Sequence, residues 1–234
     1  HKYKLLETTY KDRGVSFVML NASDERNAVK SEAQAFDYAW PIMMDDTQLV
    51  AESLGISKAG EVVVLNPSRS EILYRGPIDT QGRGGEPSTT HLSDSIEKAI
   101  AGDSRTLRTT VVAADGCDIE FSSREMHSSN VPDYTNDVAP ILAEKCANCH
   151  REGGIAPFAM NSHQMVQGWS PMIKETLMTK RMPPAQVDPQ VNHFSNARYM
   201  EINELQTLVH WIDAGAPRGN SESDPLSQLQ FREG

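Results

Sequence analysis

No apolar run in this sequence approaches the length of a membrane span, so no segment is expected to cross a bilayer. An excess of basic residues is also missing. The 22 lysines and arginines are outnumbered by 32 aspartates and glutamates, and the net charge of −10 argues against nucleic acid or an anionic membrane surface as the main partner. The chain begins at His1, with neither an initiator methionine nor a signal peptide, which points to a mature protein or to one whose beginning precedes His1. Cysteine is scarce: three in 234 residues, and none before position 117.

Two of the three lie together in Cys146-Ala-Asn-Cys149-His150. Two thiols three positions apart, followed at once by a histidine, are what covalent attachment of a c-type haem requires. Each sulfur can form a thioether with a haem vinyl group, and the imidazole can then ligate the iron from the proximal side. A redox Cys-x-x-Cys pair is the competing reading, as is half of a zinc site. Zinc needs two further ligands at comparable spacing, and the other histidines (His1, His91, His127, His163, His193, His210) show no paired spacing. One covalent haem c is therefore the expected cofactor, held by Cys146, Cys149 and His150. Because bacterial haem ligation takes place outside the cytoplasmic membrane, a periplasmic or otherwise exported protein is expected. Cys117 is left over as a buried or structural thiol, a disulfide partner, or a resolving or regulatory thiol.

The first half alternates between helical and strand patterns. Residues 2–13 read as a helix stopped by Gly14. The apolar run 15–20 reads as a central strand, and a second helix is expected from Ser23 to about Ala39. A short helix spans 47–54. Strands at 61–65 and 71–75, joined by Asn66-Pro-Ser-Arg, form a hairpin, and a last helix covers 91–101. A further strand is expected at 106–113. The polar stretch Ser122-Ser-Arg-Glu-Met-His-Ser-Ser-Asn130 reads as linker, so residues 103–133 are assigned to an interdomain connection.

Gly14-Val-Ser-Phe-Val-Met-Leu-Asn, Pro41-Ile-Met-Met-Asp-Asp and Tyr74-Arg-Gly-Pro-Ile-Asp79 resemble the redoxin branch of thioredoxin-like proteins (peroxiredoxin and TlpA-like) across residues 1–102. That family carries a reactive cysteine at the start of its first helix, and none stands here. It also carries a cis-proline before the hairpin, where this chain has Ser57-Lys-Ala-Gly60. The resemblance thus implies an α/β thioredoxin-like domain whose redox chemistry would need cysteines before His1.

In the second half, a helix leads from the 134–140 region into the haem motif. A second is expected from Ser170-Pro-Met to Lys180-Arg181, and a final one covers 201–214 with Ile202, Leu205, Leu208, Val209 and Ile212 on one face. Met182-Pro183-Pro184 follows the middle helix on a stiff turn, which favours Met182 as the second axial ligand over Met160, Met165, Met172, Met178, Met200, His163 and His193. Pro157, or a carbonyl near it, is expected to fix the His150 ring. Three helices, this motif, Arg181-Met-Pro-Pro and Trp211-Ile-Asp-Ala-Gly-Ala-Pro217 resemble a class I cytochrome c over residues 134–218. More narrowly, they resemble the cytochrome c modules fused to redoxin domains in exported bacterial proteins, with Ala185 where an aromatic usually stands. The resemblance implies an all-α mono-haem domain, a polar tail at 219–234, and single-electron transfer with a redox partner protein. A haem-linked thiol-disulfide or peroxide reductase is one alternative function, and a haem-based sensor or structural subunit another.

Overall fold

The computed structural model describes residues 2–38, 40–79, 91–102, 109–184, 188, 191–192, 194–195 and 197–231. Two compact units divide the chain, His1–Glu120 and Phe121–Gly234.

The first unit is mixed α/β. Helix α1 (Lys2–Tyr10) continues into a single 3-10 turn and stops at Gly14, whose φ of +82° only glycine adopts at little cost. Strand β1 (Met19–Asn21) pairs in parallel with β2 (Ile42–Met44), across helix α2 (Arg26–Ala35). The run 15–20 is therefore not a doubly buried central strand. Val15 and Phe17 pack on the core while Val18 is exposed, so the segment alternates. Helix α3 (Leu49–Ser53) follows, with its Ala51 N–H donating to the buried Asp45 carboxylate at 2.8 Å. The hairpin of β3 (Val62–Asn66) and β4 (Glu71–Gly76) lies where the turn signal places it, and β5 (Thr110–Val111) adds in parallel beside β4. Helix α4 (His91–Ile100) sets Leu92 and Ile96 against Tyr10 and Tyr74 to make this unit's core.

The expected linker at 103–133 is a correction. Residues 103–108 lie outside the described residues, but 109–120 belong to the first unit. Besides β5, the Cys117 carbonyl accepts from Ala59 N–H at 2.8 Å, and Ile119 N–H donates to Ser57 O at 2.9 Å. Gly116 passes so close to Ala59 that a Cβ there would lie 1.8 Å from its carbonyl oxygen. From Phe121 onward the chain belongs to the second unit. Ser122–Ser129 is a helix, α5, packed on the last helix. Its sequence hides this because none of its residues is buried, so no apolar stripe exists to be read.

Among its described residues the second unit is helical. A π-turn, Tyr134–Val138, runs into α6 (Ala139–Lys145). Helix α7 spans His163–Met178 and starts a full two turns before the expected Ser170-Pro-Met. Ser162 is its N-cap, accepting from Met165 N–H, and Pro171 sits inside it. Proline offers no N–H to the Gln167 carbonyl, and the Ser170 hydroxyl donates to that oxygen instead at 2.8 Å. Helix α8 (Ile202–Asp213) begins with a capping box of Glu201 and Glu204 and buries Leu205, Leu208, Val209 and Trp211. The expected polar tail is also a correction. Asp224 caps a short turn, Pro225–Gln228, and accepts from Tyr134 Oη at 2.7 Å and His163 N–H at 2.6 Å. No helix among the described residues is long and apolar enough to cross a membrane.

Candidate haem-attachment site

The motif sits where α6 ends. Cys146 N–H still bonds to Leu142 O, and Cys149 and His150 N–H both bond back to Cys146 O at 3.1 and 3.0 Å. The two thiols and the imidazole are thereby held on one irregular turn after the helix. Both cysteines are unbridged and partly buried. Although Cys146 keeps some access to solvent, burial pushes its thiol up to about 12; Arg198 and Lys145 oppose that rise, and Cys149 and Glu204 add to it. It is a neutral thiol at physiological pH, unlike the depressed thiols of disulfide-exchange motifs.

His150 is only 8% exposed. Its Nδ1 lies 3.1 Å from the Phe158 carbonyl, so Nδ1–H donates there and fixes the tautomer with its lone pair on Nε2. Among the described residues Nε2 has no hydrogen-bond partner. The orienting carbonyl is thus Phe158 O, one residue beyond Pro157. The loop 151–161 is drawn in by Ala156 N–H to Cys149 O and by Met160 N–H to His150 O at 2.7 Å. Gly154 permits this approach, since a Cβ would lie 2.4 Å from Cys149 O. The Phe158 ring leans on the imidazole at 4.6 Å and stacks on Trp169 of α7.

Several apolar side chains of this unit are exposed. Ile155 is 92% exposed on the loop just after it. Val191 and Phe194 are exposed on the segment leading to Arg198, which reaches back to Glu144 O at 3.1 Å. Met182 is 38% exposed, with its backbone N–H bonded to Thr176 O at the end of α7. The structure brings Cys146, Cys149 and His150 together. It places Met182 on a separate segment, after the end of α7. Among the competing ligands, His163 is occupied: it is buried, and its Nε2 lies 2.8 Å from Ala216 O. Met160 is buried, while His193, like Ala185, lies outside the described residues. Among the described residues no group of three or more His, Cys, Asp or Glu side chains is placed to hold a metal ion. These residues fit a covalently held haem: two unbridged sulfurs, one oriented imidazole with an unused nitrogen, and the Phe158 ring packed on it.

Sequence reasoning missed an aromatic cluster in the same unit. Tyr134 stacks on Trp211 at 5.9 Å, His163 meets both rings edge-on, and Asp224 ties Tyr134 to His163. Trp211 meets the π-turn that opens the first helix of this unit and donates Nε1–H to Pro217 O. Asp224, ninety residues from Tyr134, gives no sequence signal of this pairing.

No protein-family model and no curated protein matches the chain. Among solved structures, a hypothetical protein of Sinorhizobium meliloti is 22% identical with a TM-score of 0.42, over 50% of this chain and 69% of its own. An uncharacterised conserved protein of Geobacillus kaustophilus is similarly 22% identical with a TM-score of 0.41, over 51% of this chain and 68% of its own.

Proposed function

We propose that this chain is an exported c-type cytochrome that carries one covalent haem on its second unit and passes single electrons to a protein partner. The observation that carries this reading is the His150 ring. It is buried, tied through Nδ1 to Phe158 O, and set on the same turn as Cys146 and Cys149. When bound, the haem supplies a one-electron couple. The protein's own part is to anchor and orient. Cys146 and Cys149 would hold the haem through their sulfurs, His150 would offer Nε2 to its iron, and Met182 would offer a second sulfur ligand. Phe158 O keeps the imidazole from rotating and raises its basicity as a ligand. A Met/His pair would set the potential above that of a His/His pair. The Lys145 ammonium, bonded to Glu144 and Glu204 at 3.0 and 3.4 Å, holds the end of α6 on α8, so the motif starts from a fixed helix end. The first unit lacks the redoxin cysteine within its described residues, and we assign it docking or assembly rather than thiol chemistry.

The test is intact-mass analysis of the protein produced with a bacterial haem-ligation system. The expected result is one haem per chain that survives denaturation, and its loss in the C146S/C149S double variant. A mass equal to the bare polypeptide in the unsubstituted protein would return the pair to thiol chemistry.

A further inference from the structure

Helix α5 buries none of its own side chains, yet it lies along α8. Where the two helices meet, His127 Nδ1 stands 2.8 Å from His210 Nδ1, with the rings edge-on at 5.1 Å between centroids. At that distance one nitrogen carries the proton and the other receives it, so two neutral rings must hold opposite tautomers. One added proton leaves an imidazolium donating to an imidazole, and the bond survives. A second added proton sets N–H against N–H, with two positive charges in contact. Serine hydroxyls on α5 do not replace the link, because Ser128 and Ser129 donate to carbonyls of their own helix.

We propose that the His127–His210 pair is an acid-opened clasp, which holds α5 on α8 while the two rings share a proton and releases it when both are protonated. The acidic groups that line the groove beside His127 are engaged elsewhere. Asp137, on the π-turn, favours the charged form of His127, but one of its oxygens already accepts from Asp133 N–H at 2.7 Å. Glu144 of α6 and Glu204 of α8 line the groove beside His127, and both are paired with Lys145. Asp213, one turn beyond on α8, is paired with Lys174 of α7, and on α5 itself Arg124 adds positive charge while Glu125 is exposed. Burial, together with His210, lowers the affinity of His127 for its proton. An exposed imidazole has an ordinary value of ~6.5, whereas His127 in the closed pair takes up its proton at lower pH. The clasp is complete above that value and weakens as pH falls below it.

The experiment is hydrogen exchange of the full chain between pH 7 and 4.5, with imidazole nitrogen shifts followed by NMR. Protection of α5 amides, corrected for intrinsic rates and referenced to α8, should fall about tenfold per pH unit below ~6.5. In His210→Gln, whose amide does not titrate, it should stay flat. At pH 7 the two rings should report opposite tautomers. Equal pH dependence in both proteins would overturn the clasp. So would α5 protection that persists while both rings are charged, or two rings that titrate independently.

Discussion

Replacing Asp224 by alanine tests whether the last segment of the chain is a structural strut. One carboxylate oxygen accepts from Tyr134 Oη at 2.7 Å, and the other from His163 N–H at 2.6 Å. Tyr134 is fully buried and His163 is buried, so truncation strands two donors in the interior. Each stranded donor costs about 1–3 kcal/mol, and because Asp224 itself is partly accessible, water relieves some of this. The expected loss is about 3 kcal/mol, or roughly 12–20 °C in melting temperature for a unit of this size. Urea unfolding in a Trp40→Phe background isolates the second unit, since Trp169 and Trp211 then report alone. The pH dependence has a definite sign. Burial pushes the Asp224 carboxyl up, but the bonds from His163 N–H, Tyr134 Oη and Leu226 N–H, with Arg218 nearby, outweigh it and hold the group below its ordinary range. A depressed carboxylate stabilises above its unfolded value of ~3.9 and loses that contribution as pH falls further. The gap between the unsubstituted protein and Asp224→Asn should therefore be constant from pH 5 to 8 and narrow below about pH 4. A cost under about 1 kcal/mol for Asp224→Ala would refute the strut.

Three further outcomes follow from the same geometry. Gly154→Ala forces the loop away from Cys149 O, which lies 2.4 Å from the added Cβ, so the fraction of chains carrying covalent haem should drop in haem-stained gels. Met182→Ala should keep the haem attached while abolishing the far-red band of a ferric methionine–haem, read by absorption. Cys117, the exposed thiol, should take one maleimide in native protein, with Cys146 and Cys149 labelled only in haem-free chains.

Local signals carried much of the fold into view. Gly14, the Asn66-Pro-Ser-Arg turn and the apolar stripe of α8 each placed an element within a few residues, because each acts over one turn or one face. Elements with no apolar face of their own stayed hidden. Helix α5 lies along α8 with His127 against His210, and β2 (Ile42–Met44), a strand of three residues, gains its identity only by pairing with β1. Proline misled the reading at Ser170-Pro171, where it sits inside a helix whose spare carbonyl a serine satisfies. At the site, Cys146, Cys149 and His150 were legible because they form one contiguous run, which the chain holds on a single turn. The orienting carbonyl of Phe158 was approached but not located, since a backbone acceptor leaves no residue type to recognise.

The measurement that bears most directly on the haem assignment is a pyridine haemochrome spectrum of the purified protein, taken with oxidised and dithionite-reduced spectra. The expected result is a c-type haemochrome with one haem per chain and, in the ferric protein, the far-red band of methionine ligation. A preparation from haem-ligating cells that shows no haemochrome would contradict it.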